Sequence, residues 1–267
     1  MRARKSWFTF ARVMDARHHQ LYNEYHQLDH RPENLALPGV LFGDRWVRTP
    51  ACVRVAGETQ PPFADVQYLA HYLFEEPLDR AMRSWLDLSW STFQEGRRPE
   101  TGLTERPFRG WFIPLKAYVN PRIRISADAL PFRPVRGVYV AMSEIVSSAA
   151  PAEVQRVLAW EDQVWIPSLL ECHGSAGVMV HVSDPSGPQP FSTAAGTEGF
   201  NTTPDLRVHV VYLDEDPLEF VEDMQSRGCM WWSTARPAPV TGGALRSLFA
   251  SPFYAIEPWN WRWFEDE

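Results

Sequence analysis

Tyr72-Leu73-Phe74-Glu75-Glu76-Pro77-Leu78 returns 140 residues later as Tyr212-Leu213-Asp214-Glu215-Asp216-Pro217-Leu218. In both stretches a β-forming run meets acidic residues and then a proline suited to the first turn of a helix. A strand followed at once by a helix, twice over, asks whether the rest of the chain repeats as well. His30-Arg31-Pro32 with Gly39 matches Trp165-Ile166-Pro167 with Gly174, 135 residues on. Phe8-Thr9-Phe10-Ala11 matches Val138-Tyr139-Val140-Ala141, 130 residues on. The offset grows by five at each step, as short loop insertions in a second copy would make it.

Each copy has the same order of elements. In the first, 7–13 reads as a strand and 16–29 as a helix, with Leu21, Tyr25 and Leu28 at helical spacing. Pro32 ends or bends that helix, and Leu35-Ala36-Leu37-Pro38-Gly39 closes the segment. Strands follow at 40–48 and 66–74, then a helix whose Leu78, Met82, Trp85 and Phe93 form an apolar stripe, then a strand near 111–119. The second copy reads as strand 137–145, helix 151–170, strands 176–183 and 207–213, helix 217–232 and strand 249–256. Both are β-α-β-β-α-β, the order of a ferredoxin-like unit, placed at 1–132 and 133–267. Two helices cover one face of each sheet and leave the other bare. Two bare faces in one chain bury each other, so the fold expected is α+β, an intramolecular dimeric α+β barrel.

Composition narrows the function. The 267 residues carry 26 basic and 33 acidic side chains, a net charge of −7, which disfavours nucleic acid as a partner. The basic residues near the N-terminus lack a following apolar run, so neither a signal peptide nor a membrane span is expected there. Cys52, Cys172 and Cys229 show no metal or disulfide spacing, which makes the cytoplasm the default location. Twelve Trp, eight Tyr and fifteen Phe supply more ring surface than a core requires, as a pocket for a flat ligand would. No phosphate loop, dinucleotide fingerprint, nucleophile elbow or zinc-protease helix is present. Long loops are expected at 96–109, with Arg97, Arg98, Arg106 and Arg109, and at 184–204. Gly242-Gly243 marks a turn.

The stretch Tyr22-Asn23-Glu24-Tyr25-His26-Gln27-Leu28-Asp29-His30-Arg31-Pro32, with Leu35-Ala36-Leu37-Pro38-Gly39, resembles the first-helix signature of EthD-like proteins. That family belongs to the dimeric α+β barrel superfamily, so the resemblance implies a pocket between sheet and helices. It includes lyases, cyclases, isomerases, cofactor-free oxygenases and haem degraders, and fold alone does not choose among them. The second copy departs from the motif: Glu161 stands at the position of His26 and Trp165 at that of His30.

His19, His26 and His30 fall within about 40° of one another on an ideal helix, nearly opposite Leu21 and Leu28. One reading is a row of imidazoles facing a pocket; the other is a solvated polar face, which is the expectation for His19. His26 and His30 have a spacing that suits a metal, but no third ligand is evident, so none is expected. In the third strands, His71 and His209 are expected on the same kind of face, each a core residue or a tuned proton carrier. His173 and His181 lack such context. Alternating Trp259, Trp261 and Trp263 read as a clamp for the tail, or else as a pocket wall.

The expected function is a cofactor-independent lyase, cyclase or isomerase acting on a hydrophobic, aromatic or polyketide-like molecule. His30 is the leading acid or base, with His26 and His71 assisting. Tyr22, Tyr25, Trp46, Tyr68, Trp85 and His209 are the candidate substrate-binding residues. The alternatives are a binding protein for haem or a hydrophobic metabolite, and a cofactor-free monooxygenase. A homodimer is also considered.

Overall fold

A computed structural model describes residues 1–61, 63–98, 102–186, 205–231 and 243–264. Most of the expected loop at 184–204, part of that at 96–109, Gly242 and the end of the helix expected to reach Trp232 lie outside the described residues.

The strands are β1 (Lys5–Val13), β2 (Val40–Val47), β3 (Tyr68–Phe74), β4 (Thr104–Val119), β5 (Gly137–Ile145), β6 (Ser175–Ser183), β7 (Leu206–Leu213) and β8 (Leu245–Ala255). They close into one antiparallel barrel in the order β1-β3-β2-β8-β5-β7-β6-β4. Within it β4-β1-β3-β2 and β8-β5-β7-β6 repeat one order. Two seams join these halves. One is long, pairing β4 with β6 from Phe112↔Ser183 to Val119↔Gly177. The other pairs β2 with β8 only at Trp46↔Ala255 and Val47↔Tyr254. Beside it Gly57 and Gln60 donate to Ala250 and Leu248 carbonyls, both at 2.8 Å.

Alternation along the strands sorts side chains into two layers. Phe8, Phe10, Trp46, Leu69, Val208, Val210, Phe249 and Phe253 fill the barrel. Each such ring contributes ~2–3 kcal/mol by leaving water. The outer faces carry Trp7, Ala70, Tyr72 and Trp111 in the first half, and Tyr139, Val178, Val180 and Val211 in the second. Helices cover them: α1 (His19–Glu24), α2 (Arg31–Leu35), α3 (Pro50–Arg54) and α4 (Leu78–Gln94), then α5 (Pro151–Trp160), α6 (Ile166–Glu171) and α7 (Pro217–Ser226). None of the described helices is long and apolar enough to cross a membrane.

Four expectations need correction. Pro32 does not end the first helix. Between α1 and α2 the chain runs through a π-helical stretch, Tyr25–His30, where Arg31 N–H donates to the His26 carbonyl five residues back. The second half repeats this at Glu161–Trp165, with Ile166 N–H donating to the Glu161 carbonyl. In each half a proline follows, Pro32 or Pro167. Proline lacks an N–H and its ring crowds the carbonyl four residues earlier. The wider turn just ahead relieves that crowding and lets the helix continue.

Second, the helix faces are reversed. His19, His26 and His30 are buried, whereas Leu21 and Leu28 are 43% and 41% exposed. Third, β4 starts at Thr104, so Arg106 and Arg109 are strand residues rather than loop residues. Fourth, His71 and His209 occupy opposite faces. Phe8 pairs with His71, and its counterpart Val138 pairs with Tyr212, so the offset here is 141. One residue of slip moves a side chain to the other face.

Candidate functional site

A cavity of about 70 Å³ lies between the outer face of the first-half sheet and its helices. Its floor is Trp7 and Thr9 of β1, Ala70 and Tyr72 of β3, and Arg106 and Arg109 of β4. Tyr22, His26 and His30 form one wall; Trp85 and Ser89 of α4, with Arg98 beyond it, form the other.

The first helix is held by buried polar contacts. Asn23 donates to Tyr68 Oη at 2.9 Å and accepts from Arg45 at 3.2 Å. The Arg45 guanidinium lies 4.9 Å from the Tyr22 ring centre and 5.5 Å from that of Tyr68, within cation–π range. His19 shares a 2.7 Å hydrogen bond with Tyr68 Oη and stacks on Phe264 at 4.2 Å. Burial pulls the His19 pKa down to about 4. These contacts fix the rotation that turns His26 and His30 toward the sheet. The two imidazoles meet edge to face at 5.2 Å; Tyr25 stacks on His30 at 5.5 Å, and Tyr22 leans on His26 at 4.5 Å.

The aromatic floor depends on a glycine. A Cβ on Gly43 would stand 2.3 Å from the Tyr72 ring, so the bare backbone of β2 is what lets that ring lie flat. Asn34 donates to Tyr72 Oη at 3.3 Å, and burial raises the phenol to about 12, which keeps it protonated at neutral pH. Trp85 completes the wall, 5.6 Å from Trp7 and 6.0 Å from Tyr72. Arg109 is buried; desolvation first, then the nearby Arg106 charge, lowers its pKa to about 10. Arg97 serves another purpose, binding Asp29 at 2.9 Å and Glu33 at 3.0 Å to tie the segment after α4 to the first helix.

The cavity thus gathers His26, His30, Tyr22 and Trp85 from the sequence candidates. Tyr25 and Tyr68 brace that wall from behind. Three candidates stand elsewhere. Trp46 points into the barrel beside Phe42. His71 does too, stacked on Phe8 at 4.1 Å and 5.0 Å from the His181 ring, with burial lowering it to about 3. The sheet therefore separates His71 from the cavity, and alternation along β3 is the reason. His209 faces the second-half helices, with Nε2 3.2 Å from Glu161.

Sequence reading missed Trp7, Tyr72, Arg98, Arg106 and Arg109. The arginine-rich run at 97–109 was the available signal. The tail acts as a clamp through Phe264 on His19, and Phe264 also borders an open groove of about 560 Å³ with Arg12, Arg48 and Arg54.

In the second half, Glu161 and Trp165 take the places of His26 and His30. Glu161 accepts from Arg207, all but buried, and Trp165 packs on His209 at 4.7 Å. Among the described residues, no group of three or more His, Cys, Asp or Glu is placed to hold a metal ion.

No protein-family model and no curated protein matches the chain. Solved structures do. A dye-decolorizing peroxidase from Bacteroides thetaiotaomicron aligns over 96% of this chain and 94% of its own, at 10% identity and a TM-score of 0.51. An anthrone oxidase-like protein aligns over 96% and 92%, at 8% identity and 0.48. A chlorite dismutase variant from Candidatus Nitrospira defluvii aligns over 95% and 90%, at 8% identity and 0.48. At such identities the peroxidase likeness speaks for the fold, a dimeric α+β barrel, and for nothing finer.

Proposed function

We propose that this protein is an enzyme acting on a small aromatic molecule held in the first-half cavity. The observation that carries the reading is the convergence of His26 and His30 with the rings of Trp7, Tyr22, Tyr72 and Trp85 on one void. Imidazole takes and gives protons near neutral pH, and aromatic walls orient a flat ring against it. His30 is the proposed acid or base and His26 its assistant, in elimination, cyclisation or isomerisation. The void takes about one ring; a polyketide-sized molecule needs α4 to move outward.

The second reading is haem binding, which the peroxidase-like fold supports better than it supports cofactor-free chemistry. Imidazoles are suitable iron ligands. A void of about 70 Å³, however, is far below the roughly 300–1,000 Å³ of pockets for drug-sized ligands. In the second half Glu161 occupies the imidazole position and Trp165 the space beside it. A porphyrin therefore does not fit the side chains as they are packed, and no step is routed through one.

We also read 1–132 and 133–267 as diverged copies of one ferredoxin-like unit, with the EthD-like motif kept only in the first. The matching strand orders of the two halves support this.

Haem titration tests the two chemistries against each other. A Soret band that forms on haem addition and is lost in His30→Ala establishes haem binding. Absence of a band, with turnover or binding of an aromatic compound that His30→Ala abolishes, establishes the proton-transfer reading. A folded His30→Ala protein with unchanged binding and turnover removes His30 from both.

A further inference from the structure

We propose that the cavity's ligand is an aromatic acid, with its ring against the Trp and Tyr side chains and its carboxylate held by Arg109 and Arg106. The inference rests on the aromatic-ligand reading above and adds the charge of the ligand. Three guanidiniums, those of Arg98, Arg106 and Arg109, line a void of about 70 Å³ together with two imidazoles. No Asp or Glu among the described residues lines it. The rest of the wall is rings, with Thr9, Ala70 and Ser89, so positive charge and ring surface occupy separate sides.

Depth orders the arginines. Arg109 is buried on the sheet, in register with Thr9 of β1, while Arg98 and Arg106 are half-buried nearer solvent. Arg98 is anchored to the end of α4, donating to Ser89 Oγ at 2.9 Å. Burying a guanidinium beside a second one is unfavourable in the empty site, as the lowered Arg109 pKa reflects. An incoming carboxylate relieves that repulsion and matches the planar donor fork of arginine. A neutral ring gains only the aromatic contacts. Tyr72 Oη, still protonated, supplies another donor at the floor.

Benzoate and its neutral isostere benzamide provide the test, with binding followed by calorimetry and by tryptophan fluorescence at low and moderate salt. Expected is benzoate binding roughly tenfold or more tighter than benzamide at low salt, the gap narrowing as salt rises. Arg109→Gln and, separately, the more exposed Arg106→Gln should weaken benzoate toward benzamide and leave benzamide unchanged. Circular dichroism of each variant shows whether the fold is kept, and Arg106→Gln carries the test if Arg109→Gln unfolds. Equal binding of the two compounds overturns the anionic ligand and leaves the aromatic site standing. Benzoate preference that survives Arg106→Gln and any folded Arg109→Gln overturns the assigned carboxylate site. Failure of both compounds to bind overturns the aromatic site, and the acid with it.

Discussion

Replacing Glu161 by Gln puts the buried charges of the second half to a quantitative test. The carboxylate is 1% exposed, contacts Arg207 through both oxygens and lies 3.2 Å from His209 Nε2. Burial by itself would raise its pKa; the charges and hydrogen bonds of His209 and Arg207 outweigh it and hold the group at about 2 instead of 4.5. The folded protein thus resists protonating Glu161 more than the unfolded chain does. That stabilisation is fully present above about pH 4.5 and is lost as pH falls toward about 2. A depression of about 2.5 pH units corresponds to ~3 kcal/mol. Gln keeps the shape but leaves the Arg207 guanidinium buried without its counter-charge, at a cost of ~3–5 kcal/mol. The two figures describe one interaction from two sides and do not add. Urea unfolding, followed by fluorescence and far-UV dichroism between pH 7 and pH 2.5, reads both. Glu161→Gln should be less stable at pH 7, and its curve should approach that of the unaltered protein in acid. A variant within about 0.5 kcal/mol at pH 7, or two curves that stay parallel down to pH 2.5, would refute the reasoning.

Leu28→Glu should change stability by less than about 0.5 kcal/mol, because the side chain is on the exposed face of the first helix. A loss above about 2 kcal/mol in thermal or urea melts would mean that Leu28 is packed. Phe264→Ala should uncover His19, whose buried ring titrates near 4, and move that titration upward toward 6.5. In the unaltered protein His19 lowers stability as pH falls from about 6.5 to about 4, because the unfolded chain takes the proton first; an unmoved NMR titration in Phe264→Ala would detach the tail from this effect. Cys229 should alkylate first, since a hydrogen bond with Cys172 lowers its pKa despite partial burial while that of Cys172 is raised. Iodoacetamide labelling read by mass spectrometry checks the order, and equal rates at the two thiols would contradict it.

The strands could be read from the sequence because β-forming runs bounded by breakers leave little choice, and the barrel followed from two sheets that each had a bare face. The first helix was harder. Amphipathic reasoning assumes that the inward face is apolar, yet here it carries His19, Tyr22, Asn23, His26 and His30 while Leu21 and Leu28 face out. Local rules fail in this way where a wall is built for a ligand rather than for packing. The stripe of three histidines was visible; its direction was not. The π-helical stretch follows no hydrophobic period and is explained only by the proline after it. His209 was misplaced by one residue of offset, which in a strand reverses the face. Arg106 and Arg109 were visible as charges but hidden as site residues, because β4 begins before its apolar run does.

The short seam makes the barrel a bracelet with a clasp. Two residue pairs close it, and the loop donors Gly57 and Gln60 latch beside them. Thermal breathing reaches the clasp before it reaches the long β4–β6 hinge, so amide exchange should be fastest at Trp46, Val47, Tyr254 and Ala255 among the strand residues. When the clasp opens, each half keeps its own four-stranded sheet and offers one unpaired edge. Two open molecules at high concentration then have complementary edges, β2 of one for β8 of the other. The bond that closes one chain on itself is thus also the bond by which two chains interlock, and chain concentration sets the balance between them.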